Sequence, residues 1–192
     1  MKRMIILITL MVFGTKIAAS QAKIRPGIKV GANYSTISNL DMNREWGLLI
    51  GALVHIDFSE FYTMQPEILY SRQGGKSTRA ELESVAIDYI TVGLSNKFFV
   101  KDTNFHFLVG SSLDFDFDDN FARFFNDGFD DDVFFFDFAF FGGVGYEFDV
   151  GLMLEARYKH GTIEVFTSDF FSANENQLND LFQFSLAYKF DF

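Results

Sequence analysis

The chain has 192 residues, among them 27 Phe, 2 Pro and no Cys, with 48% hydrophobic residues and a formal charge of -10. That length fits one domain with a sizeable core, and the aromatic wealth favours strands over helices. The lack of Cys excludes disulfides, thiolate metal sites, thiol nucleophiles and lipidation at an N-terminal Cys, and the acidic balance sets nucleic acid aside as a partner.

The first residues read as an export leader. Lys2 and Arg3 form a basic start, Met4 to Phe13 an apolar stretch of about ten residues, and "TKIAASQA" a small-residue cleavage region. About 20 residues are needed to cross a bilayer as a helix, so this stretch is too short, and no second long apolar run follows. Cleavage after Ser20 is preferred over cleavage after Ala22, giving a signal peptide over 1–20 and one domain over 21–192. Losing Lys2, Arg3 and Lys16 takes the charge from -10 to -13.

Eight segments then alternate large apolar residues with polar or small ones, the period of a strand. The first, "GIKVGANYS", sets Ile28, Val30, Ala32 and Tyr34 against Lys29, Gly31, Asn33 and Ser35. The second, "GLLIGALVHIDFS", sets Leu48 to Phe58 against Gly51, His55 and Asp57, with Leu49 and Leu53 breaking the pattern. In the third, Tyr62, Met64, Pro66, Ile68 and Tyr70 oppose Thr63, Gln65, Glu67 and Ser71. The fourth pairs Ile90, Val92, Leu94 and Phe98 with Thr91, Gly93, Ser95 and Lys97 opposite. The fifth sets Phe105, Phe107, Val109, Leu113 and Phe115 against His106, Gly110, Ser112 and Asp114. The sixth has Phe136, Phe138, Phe140, Val144 and Tyr146 against Asp137, Gly143, Gly145 and Glu147. The seventh opposes Leu152, Leu154, Ala156 and Tyr158 to Glu155, Arg157 and Lys159. The eighth, "LFQFSLAYKFDF", opposes Phe182, Phe184, Leu186, Tyr188, Phe190 and Phe192 to Gln183, Ser185, Ala187, Lys189 and Asp191.

Very short links near Ser59-Glu60, Lys101-Asp102-Thr103 and Asp149-Val150 alternate with loops expected to run about ten to eighteen residues, and outer-membrane barrels pair short periplasmic turns with long external loops. Backbone polar groups in hydrocarbon must be satisfied within the protein, so spanning strands must close into a ring. The fold class is therefore all-β, an eight-stranded antiparallel up-and-down transmembrane barrel with both termini in the periplasm, located in the outer membrane. Three features turn the apolar side toward lipid. Small residues share the polar parity and fit a tight interior. Both signs of charge share it too. Aromatics such as Tyr34, Phe58, Tyr62, Tyr70, Phe98, Phe105, Phe117, Phe148 and Tyr158 gather near strand ends as interfacial girdles do.

The stretches "GIKVGANYS", "QPEILYS", "GGVGYEF", "LEARYKHG" and the terminal aromatic strand resemble the small outer-membrane β-barrel family of Bacteroidota that includes PorT-like and porin-family proteins. The resemblance covers residues 27 to 192, with Ala156, Arg157 and Tyr158 its best match, and the Phe/Asp-rich segment 114 to 138 departs from it. It implies a barrel whose relatives mostly lack an assigned activity, PorT itself being tied to protein secretion.

The polar parity offers an interior network of Lys29, Glu67, Lys97, Glu147, Glu155, Arg157 and Lys189, read as salt bridges more than as an ion path, because buried charges need partners. Side chains fill an eight-stranded lumen, so general diffusion is not expected. Phe184, Tyr188, Phe190 and Phe192 form the expected assembly signal. Asp118, Asp119, Asp127, Asp130, Asp131 and Asp132 crowd one external loop and are the weak candidates for a divalent cation. His55 and His106 are placed near the periplasmic rim and His160 near the outer rim, too far apart for one metal site. His160 with Thr162 and Glu164 raises an outer-leaflet lipid hydrolase, and the alternation also admits a soluble lipocalin-like carrier with its apolar side inward. The preferred reading is a structural, adhesive or assembly- or secretion-linked barrel without catalysis or cofactor. Its expected partners are outer-membrane lipids, the barrel assembly machinery and other envelope proteins.

Overall fold

A computed structural model describes residues 22–38, 42–77, 85–117, 136–163 and 178–191. Its eight strands are β1 (Lys23–Ile37), β2 (Met42–Asp57), β3 (Tyr62–Ser77), β4 (Val85–Phe99), β5 (Phe105–Asp116), β6 (Phe136–Glu147), β7 (Leu152–Gly161) and β8 (Asn179–Lys189). Each pairs antiparallel with its sequence neighbours, and β8 pairs back onto β1 to close the barrel. Closure leaves no open sheet edge, the condition for crossing hydrocarbon with strands. The links 58–61, 100–104 and 148–151 share one rim with the start of β1 and the end of β8, and it is the periplasmic one because the long links 117–135 and 162–178 both lie at the other rim.

Several strands run further than the alternation indicates. The link between β1 and β2 is 38–41 rather than a loop of ten or more residues, and β3 passes through "RQGGKS", which reads as loop by composition. Gly74, at φ 140, lets the chain continue. The β2–β3 register shifts between Arg44 and Leu49, and inward side chains serve the backbone groups there. Asn33 Nδ2 donates to the Arg72 carbonyl at 2.8 Å, and the Gly74 amide donates to Ser35 Oγ at 3.0 Å.

The two faces separate as the alternation requires. Ile28 is 55% exposed, Ile68 61% and Val144 50%, all on the outer wall, whereas Lys29, Glu67, Lys97 and Arg157 are buried within the ring. This orientation overturns the soluble-carrier alternative, whose apolar side would face inward. Leu49 and Leu53, which break the alternation, also point inward and are buried with Leu69, Leu108, Phe141 and Met153. The lumen is therefore packed with both apolar and polar groups. Glycines make room for the large ones: a Cβ on Gly110 would lie 2.4 Å from the Phe141 ring, and one on Gly145 would lie 2.3 Å from His106 Nε2.

The face assignment has a direct test. Val92→Arg, at the middle of the lipid wall, is expected to destabilise the barrel by about 2–4 kcal/mol. Thr91→Val, one residue along and inward, loses the hydrogen bond to Asp114 and is expected to cost about 1 kcal/mol. Urea unfolding in lipid vesicles measures both, and a smaller loss at Val92 than at Thr91 would reverse the faces.

Candidate functional site

Alternation on four strands brings five charged side chains to one level of the lumen. Lys29 comes from β1, Glu67 from β3, Lys97 from β4, and Glu155 and Arg157 from β7. Arg157 grips Glu67 with both ends of its guanidinium, Nη1 to Oε1 at 2.5 Å and Nη2 to Oε2 at 3.2 Å, and Nη2 also donates to Glu155 Oε2 at 2.8 Å. Lys29 Nζ bridges the same two carboxylates, at 2.8 Å from Glu67 and 3.0 Å from Glu155. Lys97 Nζ pairs with the other oxygen of Glu155. Gln65 Nε2 donates to Glu67 at 2.8 Å, and the Arg157 guanidinium lies 4.8 Å from the Phe141 ring centroid. Ions taken out of water need both a counter-charge and hydrogen bonds, and this cluster supplies both.

A second polar tier lies toward the outer rim. Lys159 pairs with Asp114, which also accepts from Thr91 Oγ1 at 2.8 Å and Gln73 Nε2 at 3.1 Å. Gln183 donates to Asn33 at 3.0 Å, and Asn33 to Ser71 at 2.9 Å, extending the tier around the ring. A third tier lies at the periplasmic end, where Lys189 pairs with Glu147, and Arg25 with Asp57. Thr63 Oγ1 donates to Asp57 at 2.6 Å, and Arg25 Nη1 reaches Asp191 at 3.2 Å. Arg25, by that hydrogen bond, holds the exposed Asp191 carboxyl below its ordinary pKa, with Lys23 adding to the effect. This tier borders a mouth of about 870 Å³ lined by Arg25, Asp57, Phe61, Phe99, Glu147 and Lys189 among others.

The seven residues expected as one network thus divide. Lys29, Glu67, Lys97, Glu155 and Arg157 meet, while Glu147 and Lys189 form a separate pair nearer the periplasm. The sequence reading did not single out Arg25, Asp57, Asp114 and Lys159 as pairs. The signal was present, since each shares the inward parity of its strand, but parity alone does not tell which partner lies across the lumen.

Other expected sites fall differently. His55 and His106 are buried inside the barrel, with His106 Nε2 3.6 Å from Glu155 Oε1, and His160 stands on the outer wall with Nδ1 2.6 Å from Asp180 Oδ1. The Thr162 hydroxyl that a hydrolase would need beside His160 donates instead to the Phe138 carbonyl at 2.5 Å, and Glu164 lies outside the described residues. Among the described residues no group of three or more His, Cys, Asp or Glu is placed to hold a metal ion. The acidic candidates Asp118, Asp119, Asp127, Asp130, Asp131 and Asp132 lie outside the described residues, as do the expected signal peptide over 1–20 and Phe192. Phe184 and Tyr188 face outward, 46% and 40% exposed, on the terminal strand.

The central cluster sets three cations against two carboxylates. Glu155→Gln leaves Glu67 alone against all three and is expected to cost about 3–5 kcal/mol. Lys97→Met leaves two of each sign and is expected to cost less. Urea midpoints of the folded band on unheated gels compare them, and equal losses would show that charge matching does not organise the lumen.

A family model for the outer membrane protein beta-barrel domain matches residues 5–190. No curated protein matches the chain. Among solved structures, the outer membrane protein Ail of Yersinia pestis in a phospholipid bilayer nanodisc is 12% identical with a TM-score of 0.51, over 88% of this chain and 100% of that one. Neisserial surface protein A is 14% identical with a TM-score of 0.48, over 88% of this chain and 99% of that one. At such identity the likeness to Ail speaks for the fold alone. With its closed ring of eight strands, lipid-facing apolar wall and match across nearly its whole length, the chain belongs to the outer membrane protein beta-barrel domain family and resides in the outer membrane.

Proposed function

We propose that this barrel is a structural and adhesive element of the outer membrane, acting through its surfaces rather than through a pore or a chemical step. The observation that carries this reading is the lumen: three tiers of paired charges, with Leu53, Met153 and Ala187 packed together inside, leave its cross-section filled. An eight-stranded ring is just wide enough for side chains to fill. A solute would have to part Arg157 from Glu67 and Lys29 from Glu155, leaving charges buried without partners.

The outer rim supports a docking role. β3 and β4 remain paired out to Gly75 and Val85, beyond Tyr89 and Asp116, the last pair between β4 and β5. This paired backbone, flanked by β2 out to Met42 and Ser77, offers a platform at the outer rim to a partner in the envelope or on another surface. A secretion-linked role, as the resemblance to PorT-like proteins implies, would use the same platform. The outward aromatics Phe184 and Tyr188 of β8, with Phe190 just after it, fit recognition by the barrel assembly machinery during insertion.

Two measurements test the reading. Purified barrel in liposomes is expected to give no swelling with small sugars and no unitary conductance in planar bilayers, and stable open channels would refute it. Cells displaying the barrel are expected to lose binding to their partner surface when residues 76–86 are replaced by a two-residue turn. Unchanged binding with the shortened barrel folded in the membrane would remove the adhesive role.

A further inference from the structure

On the outer wall, across the seam where β8 closes onto β1, the register puts four aromatic residues in one row. Trp46 lies opposite Tyr34, Tyr34 opposite Phe182, and Phe182 opposite Tyr158. Their rings meet, with centroids 4.7 Å apart for Tyr34 and Trp46 and 5.2 Å apart for Tyr158 and Phe182. Toward the periplasm the next outward row is Leu48, Ala32, Phe184 and Ala156, wholly apolar. In the other direction the next row changes character, with Thr36 opposite Asp180, Asp180 opposite His160, and Arg44 beside them on β2. A switch from aliphatic through aromatic to charged within adjacent rows marks the edge of the hydrocarbon, so this polar row stands at headgroup depth of the outer leaflet.

The row is built rather than merely exposed. Arg44 Nη1 donates to the carbonyls of Tyr34 at 3.2 Å and Asp180 at 3.1 Å, and its guanidinium lies 5.0 Å from the Phe182 ring centroid and 5.9 Å from that of Tyr34. Two carbonyls and two rings hold the charge against the wall, and among the described residues no carboxylate pairs with it. The Asp180 carboxylate is engaged elsewhere, accepting from Tyr158 OH at 2.8 Å and lying 2.6 Å from His160 Nδ1. That contact fixes the imidazole and turns Nε2 away from Asp180. Trp46, 62% exposed, offers an open indole face at the end of the row.

We propose that this seam is a binding site for a phosphorylated sugar headgroup of an outer-leaflet glycolipid. The phosphate meets the Arg44 guanidinium, whose planar fork suits phosphate oxygens, with His160 Nε2 as a second group in reach. The sugar lies against Trp46, and the acyl chains run down the aliphatic rows below. On an acidic chain such a site concentrates anionic lipid at the seam, where β1 and β8 meet.

Trp46 is the single tryptophan of the chain and serves as the probe. Full-length barrel in phosphatidylcholine nanodiscs is titrated with diphosphoryl lipid A while Trp46 emission is followed. A saturable shift is expected, with Arg44→Gln raising Kd roughly tenfold. Lys101→Gln, in the exposed link 100–104 at the opposite rim, is expected to leave Kd unchanged. Lipid A stripped of both phosphates is expected to bind wild type as weakly as diphosphoryl lipid A binds Arg44→Gln. Should Arg44→Gln fail to give the folded band on unheated gels, the phosphate comparison on wild type and the Arg44→Lys variant, expected to be intermediate, decide the matter. No saturable shift, equal Kd with and without phosphates, or an Arg44→Gln Kd equal to wild type overturns the proposal.

Discussion

The whole structure depends on one constraint: charges enclosed by eight strands in a membrane have only one another for company. In the middle of the membrane the apolar wall and its lipid offer no water from outside, so inward charges there need a counter-charge or hydrogen bonds from within the ring, and Asp137 takes backbone amides of Thr162 and Ile163 instead. Arg157 and Glu67 meet this with paired hydrogen bonds between β7 and β3, and Lys29 ties both to Glu155 from β1. These contacts cross the ring rather than run along it. They therefore fix the shape of the cross-section in a way that ladder hydrogen bonds between neighbouring strands do not.

The same constraint explains the apolar residues inside. A lumen lined only with polar groups would need partners for every one, and the ring offers limited geometry for that. Leu49, Leu53, Leu69, Leu108 and Met153 are buried among the polar groups and fill space, with Met153 Sδ 3.6 Å from Lys97 Nζ. Phe141 reaches furthest, lying under the Arg157 guanidinium and over Gly110, so that one aromatic ring both packs and faces a cation. The interior is accordingly a solid core with a polar grain.

With the inside filled, contact with other molecules falls to the surfaces. The outer wall carries aromatic residues at its extracellular edge and a fixed arginine just beyond them, while β3 and β4 pair out to Gly75 and Val85. The periplasmic end, ringed by Arg25, Asp57, Glu147 and Lys189, is an open mouth lined by paired charges. Chemistry at the membrane surface and rigidity in the centre are two results of one alternation.

That alternation was fully legible in the sequence, and with it the strand number, the ring closure and the face each residue takes. Period two is a local property, set by how successive side chains leave an extended backbone, so no distant contact is needed to read it. The inward set containing Lys29, Glu67, Lys97, Glu155 and Arg157 followed directly. Strand ends were less legible, because Gly74 and Gly75 read as loop until β4 pairs beside them and Ser35 Oγ of β1 accepts the Gly74 amide. Which inward charges meet was decided only by the tertiary structure, as with Glu147 and Lys189 standing apart from the central five, and Asp114 turning to Lys159. The stagger of one strand against the next sets the depth of each side chain in the lumen, and that stagger comes from pairing around the whole ring rather than from any one segment.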